Sequence, residues 1–246
     1  MSLRTRLQGM KAPLTGPFLA VPSPMVTEIA CAHGPDFVCI DTEHGPVSAE
    51  AGENMVRAAA LHGVPALVRV PGVDPVAIGH ALDWGAAGVL VPRVNSAEQA
   101  RAVVDAARYP PEGSRGAGPG RASLYGKAIP EAIEAARRDT VVALQIETLA
   151  ALEALDGILA VEGVDLLFVG PGDLGVGLTA AGRGAELPAA IDRILDACAR
   201  AGRAAGLFAM TQAALAPYTG RVALGIVGSD TTVLHAGFAA TFQTQA

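Results

Sequence analysis

Lysine is nearly absent from this 246-residue chain. Only Lys11 and Lys127 occur, the first ahead of the first strand-like run and the second in a long insertion. Neither stands at a strand end, where an imine-forming lysine would be needed. If the protein activates a keto acid, the expected electron sink is therefore a metal and not an imine. Cysteine is scarce too. Cys31, Cys39 and Cys198 are odd in number and scattered, which excludes a zinc pattern and a disulfide framework and makes a reducing cytoplasm the expected setting. Aromatic residues are only 4% of the chain, so Ala, Val, Leu and Ile must fill the core. No basic cluster offsets the net charge of −6, so nucleic acid is not an expected partner. No apolar run approaches the roughly 18 residues of a membrane span. The start, Met1–Leu7, lacks the apolar core of a signal peptide.

What the sequence does have is alternation. Short apolar runs at 17–21, 36–41, 65–70, 87–91, 140–146, 164–169, 204–208 and 222–227 are separated by Ala-rich helical stretches, among them Ala49–Leu61, Ala97–Ala107 and Leu187–Ala201. Eight strands in strict alternation with helices predict a parallel sheet closed into a (β/α)8 TIM barrel. The competing open doubly wound sheet lacks its Gly-x-Gly-x-x-Gly turn. No linker or composition shift divides the chain, so residues 1–246 read as one domain. One connection breaks the rhythm: Arg108–Arg121, rich in Pro and Gly, reads as a shaped loop.

Chemistry-bearing residues fall just past the strands. Glu147 follows the fifth run and Asp173 the sixth, and one helix-length segment lies between those runs. Adjacent parallel strands end at one edge, so the two carboxylates can converge on a hard divalent cation. Helix capping is the alternative role for each acid. In the fifth strand Gln145 and Glu147 share the parity expected to face the barrel axis. The second run ends Asp41-Thr42-Glu43-His44, in which a carboxylate-held imidazole could act as a general base. Arg69 stands inside the apolar third run and needs an anionic partner. It is either half of a structural ion pair or a cation aimed at a carbonyl or enolate oxygen. The remaining histidines, His33, His62, His80 and His235, read as structural or solvent-facing. Gly113–Gly120 lacks the strand and helix of a phosphate loop, and Ser229 or Asp230 reads as an ordinary helix cap.

Asp41-Thr42-Glu43-His44, Val68-Arg69-Val70-Pro71, Arg108-Tyr109-Pro110-Pro111, Gln145-Ile146-Glu147-Thr148 and Gly170-Pro171-Gly172-Asp173-Leu174 occur in the order seen in the HpcH/HpaI aldolases, and the chain resembles that family from about Gly16 to Asp230. The resemblance implies a class II aldolase that joins pyruvate, by way of a metal-bound enolate, to an aldehyde and yields 4-hydroxy-2-oxo acids. It implies Mg2+, Mn2+ or Co2+ as cofactor and a homo-oligomer, a hexamer built as a trimer of dimers. By motif, Glu147 and Asp173 are implied as metal ligands, His44 as the base with Asp41 as its partner, and Arg69 as the group on the keto oxygen. Gln145 is implied near the metal, and the Gly172 and Asp173 backbone N–H groups on the pyruvate carboxylate. Family members commonly carry Ala or a larger residue at the position of Gly172, which bears on the local pocket shape. Two other functions remain open. One is a lyase acting on an acyl-CoA thioester, with Arg115 and Arg121 as candidate phosphate-binding cations. The other is a non-catalytic metal- and ligand-binding barrel.

Overall fold

A computed structural model of the protein describes residues 1–8 and 12–242. Lys11 lies outside the described residues. Eight parallel strands, β1 (Leu14–Leu19), β2 (Val38–Asp41), β3 (Ala66–Arg69), β4 (Gly88–Val91), β5 (Val141–Ile146), β6 (Leu166–Val169), β7 (Ala204–Ala209) and β8 (Leu224–Ser229), close into a barrel in sequence order. A short helix α1 (Leu3–Leu7) precedes them. Between the strands run α2 (Pro24–Ala32), α3 (Ala49–Leu61), α4 (Pro75–Asp83), α5 (Ala97–Ala107), α6 (Ile129–Asp139), α7 (Leu149–Glu153), α8 (Leu155–Leu159), α9 (Pro171–Ala180), α10 (Leu187–Arg200) and α11 (Gln212–Leu215). The last helix is α12 (Asp230–Phe242). This is the expected (β/α)8 barrel. No helix among the described residues is long and apolar enough to cross a membrane.

The alternation of strand side chains produces two separate cores. One parity points inward, where Phe18, Cys39, Leu67, Leu90, Val141, Ala143, Phe168 and Ile226 fill the barrel and Leu3 and Leu7 of α1 pack beneath them. The other parity, with Ile40, Val68, Val89, Leu144, Ile146 and Val169, meets the helices. Strand β1 begins earlier than the sequence suggests. The first run reads from residue 17, and proline cannot donate to a ladder. The chain instead passes through Pro17 at an irregularity, and the β1–β8 register shifts between Gly16 and Phe18.

Helices begin at the rim where strands end, and hydroxyl or carboxylate caps start most of them. Ser23, Ser48, Asp74, Ser96, Thr148 and Thr211 each accept a backbone N–H of the following turn. Helix α9 differs, because its N-cap is Gly170 and no side chain caps it. The long connection after α5 lies at the opposite end of the barrel. Arg115 pairs with Asp83 at 2.7 Å and stacks over Tyr109, and Arg121 donates to the Trp84 carbonyl at the end of α4. Arg108 reaches Asp165 and the Thr140 carbonyl, tying the starts of β5 and β6 together. The loop is thus shaped, as its composition suggests, but it braces the closed end of the barrel.

Helix α12 leaves the barrel surface. Asp230 is its one buried residue. Its carboxylate accepts the N–H groups of Ala20 and Val21, at 3.0 and 2.8 Å, in addition to that of Thr231. Asp230 therefore clamps the end of β8 to the connection after β1, a wider role than a local cap. Beyond it Val233, Leu234, Phe238 and Phe242 are exposed, the two rings stacking on each other.

Candidate active site

At the rim the inward parity changes from apolar to polar. Asp41 and Arg69, the last residues of β2 and β3, are register partners across the ladder. Arg69 donates from Nε and Nη2 to the two Asp41 oxygens, at 2.9 and 2.5 Å. Both side chains are buried, and the guanidinium lies 4.2 Å over the Phe18 ring. Burial disfavours the cation, but the carboxylate beside it more than compensates, so the guanidinium is held above its ordinary pKa. The bidentate bond occupies Nε and Nη2, and Nη1 makes no side-chain bond among the described residues.

The resemblance implies Asp41 as the partner of His44, but the Asp41 carboxylate makes no bond to the imidazole among the described residues. Its Oδ1 accepts the backbone N–H groups of Glu43 and His44, at 3.1 and 3.2 Å, which folds the turn after β2 back onto the strand. The carboxylate that faces the imidazole belongs to Glu43. Its Oε2 lies 3.8 Å from His44 Nε2 and 3.4 Å from Arg69 Nε. Glu43 is shifted toward the protonated form, chiefly by burial, with Arg69 and His44 pulling the other way. His44 itself is solvent-facing at the mouth. The sequence signal for Glu43 was its place beside His44. What concealed its role is the turn geometry, which gives Asp41 to the backbone and to Arg69.

Glu147 follows β5 and is buried. Its Oε1 accepts the Arg93 backbone N–H at 2.8 Å, and its Oε2 accepts the Gln145 amide. Arg93 holds a left-handed backbone, φ 55°, which is uncommon for a residue with a side chain. That connection after β4 was not singled out in the sequence. A glycine is required opposite, since a Cβ on Gly170 would approach Glu147 Oε2 to 2.8 Å and Gln145 Nε2 to 2.9 Å. Burial raises the Glu147 pKa first. The two donors lower it, and the negative charges of Glu43 and Asp173 raise it again. Asp173 sits in the first turn of α9, exposed, its charge close enough to be felt at both Glu147 and Glu43.

These acids crowd together with few cations, and two buried oxygens, Gln145 Oε1 and Glu43 Oε2, have no hydrogen-bond partner among the described residues. An all-oxygen set with excess negative charge and unfilled acceptors fits a hard divalent cation. No group of three or more His, Cys, Asp or Glu among the described residues could hold a metal by itself. Glu147 and Asp173 are the candidate carboxylate ligands, and a pair of them would leave positions for substrate and water. Beside them the N–H groups of Gly172 and Asp173 lie in the first turn of the uncapped helix, where an anion is favoured. A Cβ on Gly172 would meet open space.

Other candidates lie elsewhere. Arg115 and Arg121 are at the closed end of the barrel, and Lys127 is on the turn before α6. His33 and His62 cap the ends of α2 and α3, His80 lies in α4 and His235 in α12, all solvent-facing. The three cysteines are buried thiols. Burial pushes Cys31 up to about 11 and Cys198 up to about 12, which leaves them unreactive at neutral pH.

The family model of the HpcH/HpaI aldolase/citrate lyase family matches residues 14–236. The chain is 40% identical over 215 residues, covering 83% of this chain and 81% of the relative, to a hydroxypyruvate/pyruvate aldolase of Roseovarius nubinhibens. It is 36% identical over 230 residues, 92% of this chain and 87% of the relative, to a 4-hydroxy-2-oxo-heptane-1,7-dioate aldolase of Salmonella typhimurium. A crystal structure of an HpcH/HpaI aldolase/citrate lyase family protein from Burkholderia cenocepacia superposes with a TM-score of 0.91 at 33% identity, covering 98% of this chain and 97% of the other.

Proposed function

This chain belongs to the HpcH/HpaI aldolase/citrate lyase family, and from that premise we propose how its rim residues carry out class II aldol chemistry on pyruvate. The reaction is reversible carbon–carbon bond formation between pyruvate and an aldehyde, a lyase activity. The observation that carries the assignment of residues is the meeting of Glu147, Asp173, Glu43, Arg69 and the α9 N-terminus at one rim.

Glu147 and Asp173 are the residues that hold the divalent cation, with Mg2+, Mn2+ and Co2+ as the candidates for an oxygen donor set. When bound, the cation polarises the keto carbonyl of pyruvate and acidifies its methyl group. The Gly172 and Asp173 N–H groups receive the pyruvate carboxylate. Arg69, held by Asp41, turns Nη1 toward the keto oxygen, where negative charge develops as the enolate forms. His44 takes the methyl proton, and Glu43 beside it favours the imidazolium that results. The enolate carbon then bonds to the aldehyde carbon, and the aldehyde oxygen takes up a proton. Gln145 keeps Glu147 oriented. The experiment is proton exchange: the protein with pyruvate and each cation should replace methyl hydrogen by deuterium. Absence of exchange with all three cations overturns this assignment.

The expected homo-oligomer draws support from α12, whose Val233, Phe238 and Phe242 project into solvent. A helix apolar on its outer face needs cover. A second copy of this chain is the proposed cover, in keeping with a hexamer built from dimers.

A further inference from the structure

Resting on that reaction, we propose that Arg93 selects the aldehyde, favouring acceptors that carry a carboxylate at the end remote from the carbonyl. Most arginines of the described residues are hydrogen-bonded or ion-paired through their guanidinium groups. Arg93, Arg101 and Arg200 are not. Arg101 and Arg200 lie on α5 and α10, helices of the barrel's outer layer. Arg93 alone of the three stands on a connection at the C-terminal rim, directly after β4.

Its placement there is enforced. The Arg93 N–H bonds Glu147 Oε1 at 2.8 Å, so the residue's backbone is tied to the proposed cation ligand. The flanking Pro92 and Val94 are buried, while Arg93 is exposed. The left-handed φ of 55° costs free energy for any residue but glycine, and here it coincides with the delivery of that N–H. The result is a cation without an internal partner, mounted on a long stem at the edge of an acidic site. Its guanidinium makes no hydrogen bond or ion pair among the described residues, so it is available to something further from the cation. In the aldol step the aldehyde carbon sits one bond beyond the pyruvate methyl carbon, and the rest of the aldehyde extends outward to the rim. A carboxylate on that outer end meets Arg93 in a charge-assisted, bidentate geometry, whereas an alkyl end gains nothing from it.

The test compares kcat/KM for succinic semialdehyde and for butanal, a neutral aldehyde with the same number of carbons, in the cation-loaded enzyme with pyruvate. The wild-type protein should favour the charged aldehyde at least 10-fold. Arg93→Gln should reduce the charged-to-neutral ratio about 10-fold or more, and Arg93→Lys should restore part of it. A ratio is insensitive to partial misfolding, because both aldehydes are read on one sample. A second readout is direct binding: succinate should protect the wild-type protein against thermal unfolding in the presence of pyruvate and cation, and Arg93→Gln should lose that protection. A charged-to-neutral ratio unchanged by Arg93→Gln overturns the proposal while leaving the aldolase assignment intact. Failure of the wild-type protein to exchange pyruvate protons overturns both.

Discussion

Asp41 and Arg69 face each other across the β2–β3 ladder and close a buried, bidentate ion pair at the barrel rim. The pair resolves an ambiguity about Arg69. The structural ion pair and the substrate-facing cation are the same group, because Asp41 takes Nε and Nη2 and leaves Nη1.

Breaking this pair should be costly. Asp41→Ala strips the buried guanidinium of its bidentate partner and leaves it only Glu43 at 3.4 Å, a loss of up to about 3–5 kcal/mol. Denaturant unfolding should show a lower midpoint, and pyruvate proton exchange should fall because Arg69 loses its orientation. Arg69→Lys should not recover exchange, since an ammonium cannot hold Asp41 through two parallel bonds and also reach a keto oxygen. Wild-type exchange in Arg69→Lys would remove Arg69 from the chemistry.

Glu147 should be a site of conflict between function and stability. Burial first, and then the charges of Glu43 and Asp173, raise its pKa above the ordinary carboxylate value. The sign follows directly. A carboxyl with a folded pKa above its unfolded value destabilises the cation-free fold at neutral pH, and that burden is relieved as pH falls through the raised pKa. Glu147→Gln should therefore raise the Tm of the cation-free protein, by about 2–4 °C for each kcal/mol relieved. Gln145 can turn its amide to present the unpartnered Oε1 to the new side-chain N–H. The same variant should lose Mn2+ binding in calorimetry. Retained Mn2+ affinity would show that Glu147 is not a ligand.

His44 is assigned to proton transfer. His44→Ala should slow deuterium exchange into pyruvate by about 10²–10⁴-fold, the usual worth of a general base. Mn2+ affinity should stay near the wild-type value, because the imidazole is not among the proposed ligands. Glu43→Gln should also slow exchange, since it removes the carboxylate 3.8 Å from the imidazole. An unchanged exchange rate would dismiss Glu43 as the partner.

Helix α12 offers a test of assembly. Replacing Phe238 and Phe242 by Glu removes the stacked apolar pair from an exposed helix and should leave the barrel folded. Sedimentation should then report a smaller species than the wild-type protein. An unchanged species would place the interface elsewhere.

Much of the barrel was legible because its cause is local. Apolar runs of strand length, Ala-rich stretches of helix period and Ser, Thr or Asp at helix starts specify β/α alternation one unit at a time. Helices α3 and α5 run over Ala49–Leu61 and Ala97–Ala107, as read from the sequence. The inward parity of Val141, Ala143 and Gln145 followed from the period of two in a strand. Positions of Glu147, Asp173 and Asp41 at strand ends could likewise be inferred, because parallel strands deliver their ends to one edge, whereas Arg69, read inside the third run, closes β3. Which partner each side chain takes could not. Asp41 and Arg69 are 28 positions apart in the chain, and ladder register alone sets them opposite. Glu43 faces His44 because the Asp41 carboxylate captures the backbone of the turn, a competition among neighbours that local pattern does not rank. The Arg93 N–H on Glu147 bridges β4 and β5 through a left-handed residue that carries no glycine to announce it. The sequence by itself determined the strands, their order and the edge at which the chemistry gathers. Tertiary structure decided the pairings, because hydrogen bonds between residues distant in the chain depend on register and on the burial that makes each unpaired charge costly.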